Sequence, residues 1–140
     1  MKVFVDANIL IDYILKREGF FEDAKKVYEI CVKNEAVLAP HTVTNMYYVA
    51  RKDFSSEERK QMLLEILEHI KIIPIGESEV VAALKSSIDD FEDALQNECA
   101  IRANSDVIVT RDVKGFAASP IKALSPIEFI ELFENDFQVS

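Results

Sequence analysis

Apolar positions along the chain change period several times, and each change marks an element. Lys2–Val5 is a short β-rich run that stops at Asp6. Residues 8–17 read as a helix. Residues 20–34 place Phe20, Ala24, Val27, Ile30 and Cys31 on one helical face. The run 36–39 is a brief apolar strand stopped by Pro40, and helices follow over 41–53 and 55–70. The second of these opens with Ser55 or Ser56 and has Glu57 and Glu58 close behind, an N-cap pattern. Residues 72–75 form a further short strand, and 77–87 and 91–104 return to the helical period. DVIVT at 106–110 is the clearest strand, 121–124 the last, and 125–133 a closing helix with Pro126 at its first position.

Short apolar strands alternating with helices predict an α/β domain with a mostly parallel sheet covered on both faces. Sites in such sheets form beyond the carboxyl ends of the strands. The chain has 140 residues with only 3 Gly and 4 Pro, and neither a repeat nor a linker-like tract interrupts it. A single domain over 1–140 is the expectation.

Composition narrows the class. At 49% hydrophobic and 29% charged, the chain can bury a core. No apolar run approaches the roughly 20 residues of a bilayer span. The N-terminus carries Asp6, Asn8 and Asp12 within its apolar stretch, unlike a secretory leader. A cytoplasmic protein without membrane partners is expected. Cys31 and Cys99 then read as buried thiols, and His41 and His69 lack zinc-ligand spacing. The net charge of −9 argues against a broad basic face for nucleic acid. It leaves room for acids gathered at a metal site, or spread over solvated helices.

Two strands end alike. VFVD ends at Asp6, and VIVTRD places Asp112 just past its strand. In SIDDFEDALQ, Asp90 and Asp93 are three apart and share a helix face. Three carboxylates within about 5 Å would repel by on the order of 3 kcal/mol per pair at an effective dielectric near 20. Protonation or a cation relieves this. Hard oxygen ligands in an incomplete shell suit Mg²⁺ or Mn²⁺, and phosphodiester hydrolysis is the chemistry that fits. Each acid also has a local reading. Asp6 serves as turn or N-cap, Asp93 as the third-position acid behind an Asp90 cap, and Asp112 as a turn residue. The conjunction of the three favours the site.

Four segments, VDANILIDYILKR, PHTVTNMYYVARK, DFEDALQNECAIRANSDVIVTRDVKGF and LSPIEFIE, together resemble the PIN domain family over nearly the whole chain. The resemblance is nearest to a bacterial and archaeal subgroup with Asn in the second motif. It implies a three-layer α/β/α fold with a central, mostly parallel sheet of about five strands. It also implies a Mg²⁺- or Mn²⁺-dependent endoribonuclease acting on single-stranded RNA, often the toxin of a toxin–antitoxin pair.

Carried over by motif, Asp6, Asp93 and Asp112 are the metal carboxylates. Asn45 stands where many PIN domains have a catalytic Glu, and can hydrogen-bond a water without bringing charge. Asp90 is a substitute outer acid. Related sequences often read TRN with Asp three residues later. Here Asp112 replaces that Asn and Gly115 replaces that Asp, so the charge is kept but moved by three positions.

Asn8, Thr42 and Thr110 are candidates to orient the carboxylates, with local capping as the alternative. Arg17, Arg51, Arg111 and Lys114, with Lys16 and Lys52, are candidate phosphate contacts or plain solvated surface. Tyr47 and Tyr48 either stack on bases or pack in a core or interface. The helices at 41–53 and 55–70 offer a face for a homodimer or an antitoxin helix. A receiver-type or dehalogenase-type phosphoryl-transfer protein fits poorly: Asn8 stands where a second Asp belongs, and Asp6 has no adjacent acid. The alternative from another class is a catalytically weak or silent PIN fold that binds RNA or protein.

Overall fold

The structure, a computed structural model, describes residues 1–139. Five strands form one sheet: β1 (Lys2–Val5), β2 (Glu35–Leu38), β3 (Ile70–Ile72), β4 (Val107–Val109) and β5 (Lys122–Leu124). Their order is β3-β2-β1-β4-β5 and every pairing is parallel. Seven α-helices accompany them among the described residues: α1 (Ala7–Ile14), α2 (Phe21–Val32), α3 (Pro40–Val49), α4 (Ser56–His69), α5 (Glu77–Leu84), α6 (Phe91–Arg102) and α7 (Pro126–Val139).

The period-two geometry of the strands builds the three layers. Val3 and Val5 of β1, Ala36 and Leu38 of β2, and Val107 and Val109 of β4 face one apolar core. That core is closed by α1, α2, α3, α4 and α7 through residues such as Ile9, Val27, Met46, Ile66 and Phe129. The intervening Phe4, Val37 and Ile108 face the other side, where Cys99 and Ala100 of α6 and Phe116 cover them. Both cysteines are buried free thiols, one in each core, and burial pushes each pKa up to about 12.

Most elements fall where the apolar pattern predicts, and the differences have local causes. The third strand spans Ile70–Ile72 rather than 72–75. No Gly or Pro separates it from α4, so the chain passes from helix into extended backbone at Ile70 itself. Pro74, with no N–H to give, lies past its end. Residues 50–52 form a 3₁₀ turn rather than a continuation of α3. The Ser55 capping box with Glu58 is present at α4. The closing helix starts at Pro126 as expected and runs on to Val139. Among the described residues, no helix is long and apolar enough to cross a membrane.

Strands β1, β2 and β3 step to one side of the sheet, and β4 and β5 to the other. The order therefore reverses between β1 and β4, and the crevice outside their carboxyl ends is the topological switch point. Val5 pairs with Val109 there, so Asp6 and Thr110 leave the sheet side by side.

Candidate metal centre

Asp6 is 2% exposed and its carboxylate is held from two sides. The Thr110 hydroxyl donates to Oδ2 at 2.7 Å, and Gln96 Nε2 of α6 donates to Oδ1 at 3.0 Å. Gln96 is itself fixed, its Oε1 accepting from the Ala7 N–H at 3.2 Å. Asp6 also caps α1, accepting from the Asn8 N–H at 3.4 Å. The local reading of Asp6 as an N-cap is met at the end of β1. A buried carboxylate must have its oxygens hydrogen-bonded, and here both are.

Asp112 follows β4 by three residues and caps a 3₁₀ turn over Val113–Phe116. Its backbone N–H donates to the Thr110 hydroxyl at 2.9 Å, and its Oδ1 accepts from the Gly115 N–H at 3.1 Å. Residues three apart eclipse in a 3₁₀ turn, so Asp112 lies against Gly115. A Cβ on Gly115 would stand 2.5 Å from Asp112 Oδ2 and 3.0 Å from Asp93 Oδ2. The space in front of Gly115 is therefore occupied by two carboxylates from different elements. The charge that the motif comparison finds moved from 115 to 112 is folded back to position 115.

Asp93 lies in the first turn of α6, where Asp90 is the N-cap and accepts from the Asp93 N–H at 2.9 Å. Partial burial first, then the fields of Asp90, Asp6, Asp112 and Glu92, push the Asp93 pKa up to about 6. Asp6 and Asp112 therefore both act on Asp93. Asp90 is both the cap and a wall of the site, since an open pocket of about 350 Å³ is lined by Asp89, Asp90, Asp93, Asp112, Lys114 and Gly115.

As they stand, no three acidic, histidine or cysteine side chains among the described residues are close enough to share one ion. Asp6 is spent on Thr110 and Gln96, while Asp93 and Asp112 meet in front of Gly115. The donor set is nonetheless all carboxylate oxygen, and the bare glycine leaves a cradle that a side chain would fill. That chemistry suits a hard divalent cation.

The remaining candidates divide. Thr110 joins Asp6 to Asp112. Asn8 contributes its backbone N–H, and its side chain is exposed. Thr42 is fully buried, yet its hydroxyl has no hydrogen-bond partner among the described residues, so it neither caps α3 nor reaches an acid. Asn45 donates to Glu92 Oε1 at 3.2 Å. Among the candidate phosphate contacts, Lys114 lines the acidic pocket. Arg51 lies over the ring of the exposed Tyr48 at 3.8 Å, and Arg59 over Tyr47 at 4.1 Å.

Arg111 and Arg17 turn elsewhere. Arg111 grips Asp12 through Nε at 2.7 Å and a second nitrogen at 3.2 Å, and Arg17 approaches the same carboxylate at 3.4 Å. Asp12 is 1% exposed while the Arg111 side chain is 30% exposed, so a buried carboxylate meets arginines that reach in from the surface. A second pocket of about 350 Å³ beside it, between α1, α2 and the start of α7, contains a carboxylate already neutralised.

Sequence reasoning missed Gln96, Glu92, Asp12 and the role of Gly115. Gln96 is three residues from Asp93, a spacing that puts both on one helix face. Asp12 stands inside an apolar helix with buried neighbours, which is itself a signal that a cation must meet it.

The sequence model described as "PIN domain" matches residues 2–114. No curated protein matches the chain in sequence. Among solved structures, the fold is similar to VapBC2 from Rickettsia felis bound to a DNA fragment from their promoter, with 20% identity, 89% of this chain and 98% of that one covered, and a TM-score of 0.67. A toxin–antitoxin complex from Klebsiella pneumoniae shares 24% identity over 89% of this chain and 97% of that one, with a TM-score of 0.68. DNA-bound VapBC from Salmonella typhimurium shares 15% over 90% and 98%, with a TM-score of 0.67.

Proposed function

The chain belongs to the PIN domain family, and from that premise we propose that it is a divalent-metal-dependent endoribonuclease cutting single-stranded RNA, the toxin half of a toxin–antitoxin pair. Family membership supports nuclease activity in general. What supports the finer reading most is the meeting of Asp93 and Asp112 in front of Gly115, with Asp6 acting on Asp93 from the end of β1.

Asp6, Asp93 and Asp112 would hold Mg²⁺ or Mn²⁺. When bound, the ion supplies positive charge to a phosphate oxygen and makes a water acidic enough to attack phosphorus. The protein's own groups do the rest. Thr110 and Gln96 hold the Asp6 carboxylate in place. Asp90 and the start of α6 fix the backbone of Asp93. Burial and the neighbouring acids push the Asp93 pKa up to about 6 without metal, a repulsion that a bound cation would relieve. Lys114, on the wall of the pocket, offers a cation to the RNA backbone. The solved complexes of similar fold support an antitoxin as the protein partner.

The test is cleavage of a labelled single-stranded RNA by wild type and Asp93→Asn in Mg²⁺ or Mn²⁺, with chelator as control. Loss of cleavage in the variant and in chelator is expected, the variant remaining folded. Equal cleavage by the two purified proteins overturns the assignment. A second reading, a silent RNA- or protein-binding PIN fold, is favoured by the dispersed arrangement of the three acids. It predicts RNA binding without cleavage in either protein.

A further inference from the structure

Residues 36–52, which contain all of α3, form the longest stretch of this chain without Asp or Glu, although the sequence has 25 of them. The next longest, 113–127, includes Lys114, Gly115, Ala117 and Ala118 of the acidic pocket's wall. In a chain of net charge −9, these two segments offer a polyanion the least repulsion. Helix α3 also reaches the start of α6. Asn45 donates to Glu92 Oε1 at 3.2 Å, and Glu92 is the chain neighbour of Asp93. Tyr48 is three residues beyond Asn45, so it lies on the same side of α3, roughly 4.5 Å farther along the helix axis.

The two adjacent tyrosines part there. Tyr47 packs against the core under α1 and α3, with Arg59 over its ring at 4.1 Å. Tyr48 is 61% exposed. The Arg51 guanidinium lies over one face of its ring at 3.8 Å and donates to the Tyr48 carbonyl at 2.9 Å. Closing the last carbonyls of α3 accounts for that hydrogen bond. It does not account for a large ring left in water with its other face open. Among the described residues neither Arg51 nor Lys52 has a carboxylate partner, whereas Arg17, Arg102 and Arg111 each have one. An open aromatic face beside an unpaired guanidinium suits an unstacked base and its phosphate. We infer that Tyr48 is a base-stacking platform for single-stranded RNA and that Arg51 and Lys52 face the adjoining phosphates, so that the strand runs from the acidic pocket along α3. This rests on the ribonuclease reading above and adds to it a subsite for a nucleotide that is held but not cut.

The chain has no tryptophan, so Tyr48→Trp places a single indole at the subsite. With Asp93→Asn in the same chain to keep the RNA whole, a single-stranded RNA of mixed sequence is expected to quench that emission saturably. In the same background Tyr48→Ala is expected to weaken binding of labelled RNA, read by anisotropy, by about fivefold or more. Tyr48→Phe is expected to cost less than about twofold, because stacking needs the ring and not the hydroxyl. Arg51→Met is expected to lower the slope of log affinity against log salt by about 0.7, one phosphate contact on a single strand. A helix-closing role alone would move the melting temperature of Arg51→Met and none of these readouts.

An indole that RNA leaves unquenched, or undiminished RNA affinity in Tyr48→Ala, overturns this inference, and cleavage by the wild-type chain then leaves the proposed function standing. Emission that changes with protein concentration and not with RNA also overturns it and assigns this side of α3 to a protein contact. If no form of the chain binds RNA and the wild type cuts none, both readings fall.

Discussion

The Thr110 hydroxyl donates to Asp6 Oδ2 across 2.7 Å and so ties the residue that follows β4 to the residue that follows β1. The Thr110 hydroxyl oxygen in turn accepts the Asp112 N–H at 2.9 Å, so one side chain touches both acids. Thr110→Val keeps the shape and removes both bonds. Asp6, 2% exposed, is left with one fewer donor. A loss of about 1–3 kcal/mol in denaturant unfolding is expected. Cleavage should fall further than stability accounts for. Thr110→Ser, which restores the hydroxyl, should recover most of both. Wild-type stability in Thr110→Val would show that Asp6 draws no support from this bond.

Gly115 yields the second prediction. A methyl group there would stand 2.5 Å from Asp112 Oδ2 and 3.0 Å from Asp93 Oδ2, and both obstacles are the movable ends of side chains. Gly115→Ala should therefore still fold, the carboxylates swinging away at the cost of the Asp112 cap on the Gly115 N–H, about 1 kcal/mol. The site would be broken by that movement. Metal affinity and cleavage should drop by about tenfold or more, as when a ligand loses its orientation. A large stability loss, with cleavage per folded molecule unchanged, would contradict this.

The same two positions show what could be read from the chain alone. Apolar period two separates Val3 and Val5 from Phe4, and Val107 and Val109 from Ile108, so both faces of the central strands were legible. Asp6 and Asp112 could be placed at the carboxyl edge because each ends such a run. That Asp112 folds back onto Gly115 depends on a 3₁₀ turn whose residues, VKGF, carry no period of their own. The direction of Arg111 was hidden for a different reason. A cation beside an acidic motif reads equally as a phosphate contact or as an ion pair, and only the packing of α1 brings Asp12 beneath it.

Arg111 supplies the third prediction. Its bidentate contact leaves Asp12 satisfied at 1% exposure, with Arg17 more distant at 3.4 Å. Arg111→Met would strand a buried carboxylate, at a cost of about 3 kcal/mol, the low end for breaking a buried pair because Arg17 remains. Asp12→Asn in the same chain should recover a large part, since it removes the unpaired charge. If Arg111 served RNA instead, Arg111→Met would raise KM and leave the urea midpoint where it was.

Asp93 makes stability depend on pH in a direction opposite to that of an ordinary paired carboxylate. Its folded pKa, about 6, lies above its ordinary value of 3.8, so the metal-free native state binds the proton more tightly than the unfolded chain. Stability from this group is fully present below pH 3.8, falls as pH rises through about 6, and is flat above. Asp93→Asn removes the repulsion and the proton together. The difference in unfolding free energy between variant and wild type should thus grow across this window, reaching about 1–2 kcal/mol in favour of the variant at pH 8. That figure is discounted for the contact of Asp93 with solvent. Mn²⁺ should reverse the order at pH 8, raising the melting temperature of wild type and leaving Asp93→Asn unmoved, because only a carboxylate that repels its neighbours gains from a cation set among them. A variant no more stable than wild type at pH 8 without metal would mean that Asp93 feels no net repulsion. The argument that a cation is needed to close this site would then lose its physical basis.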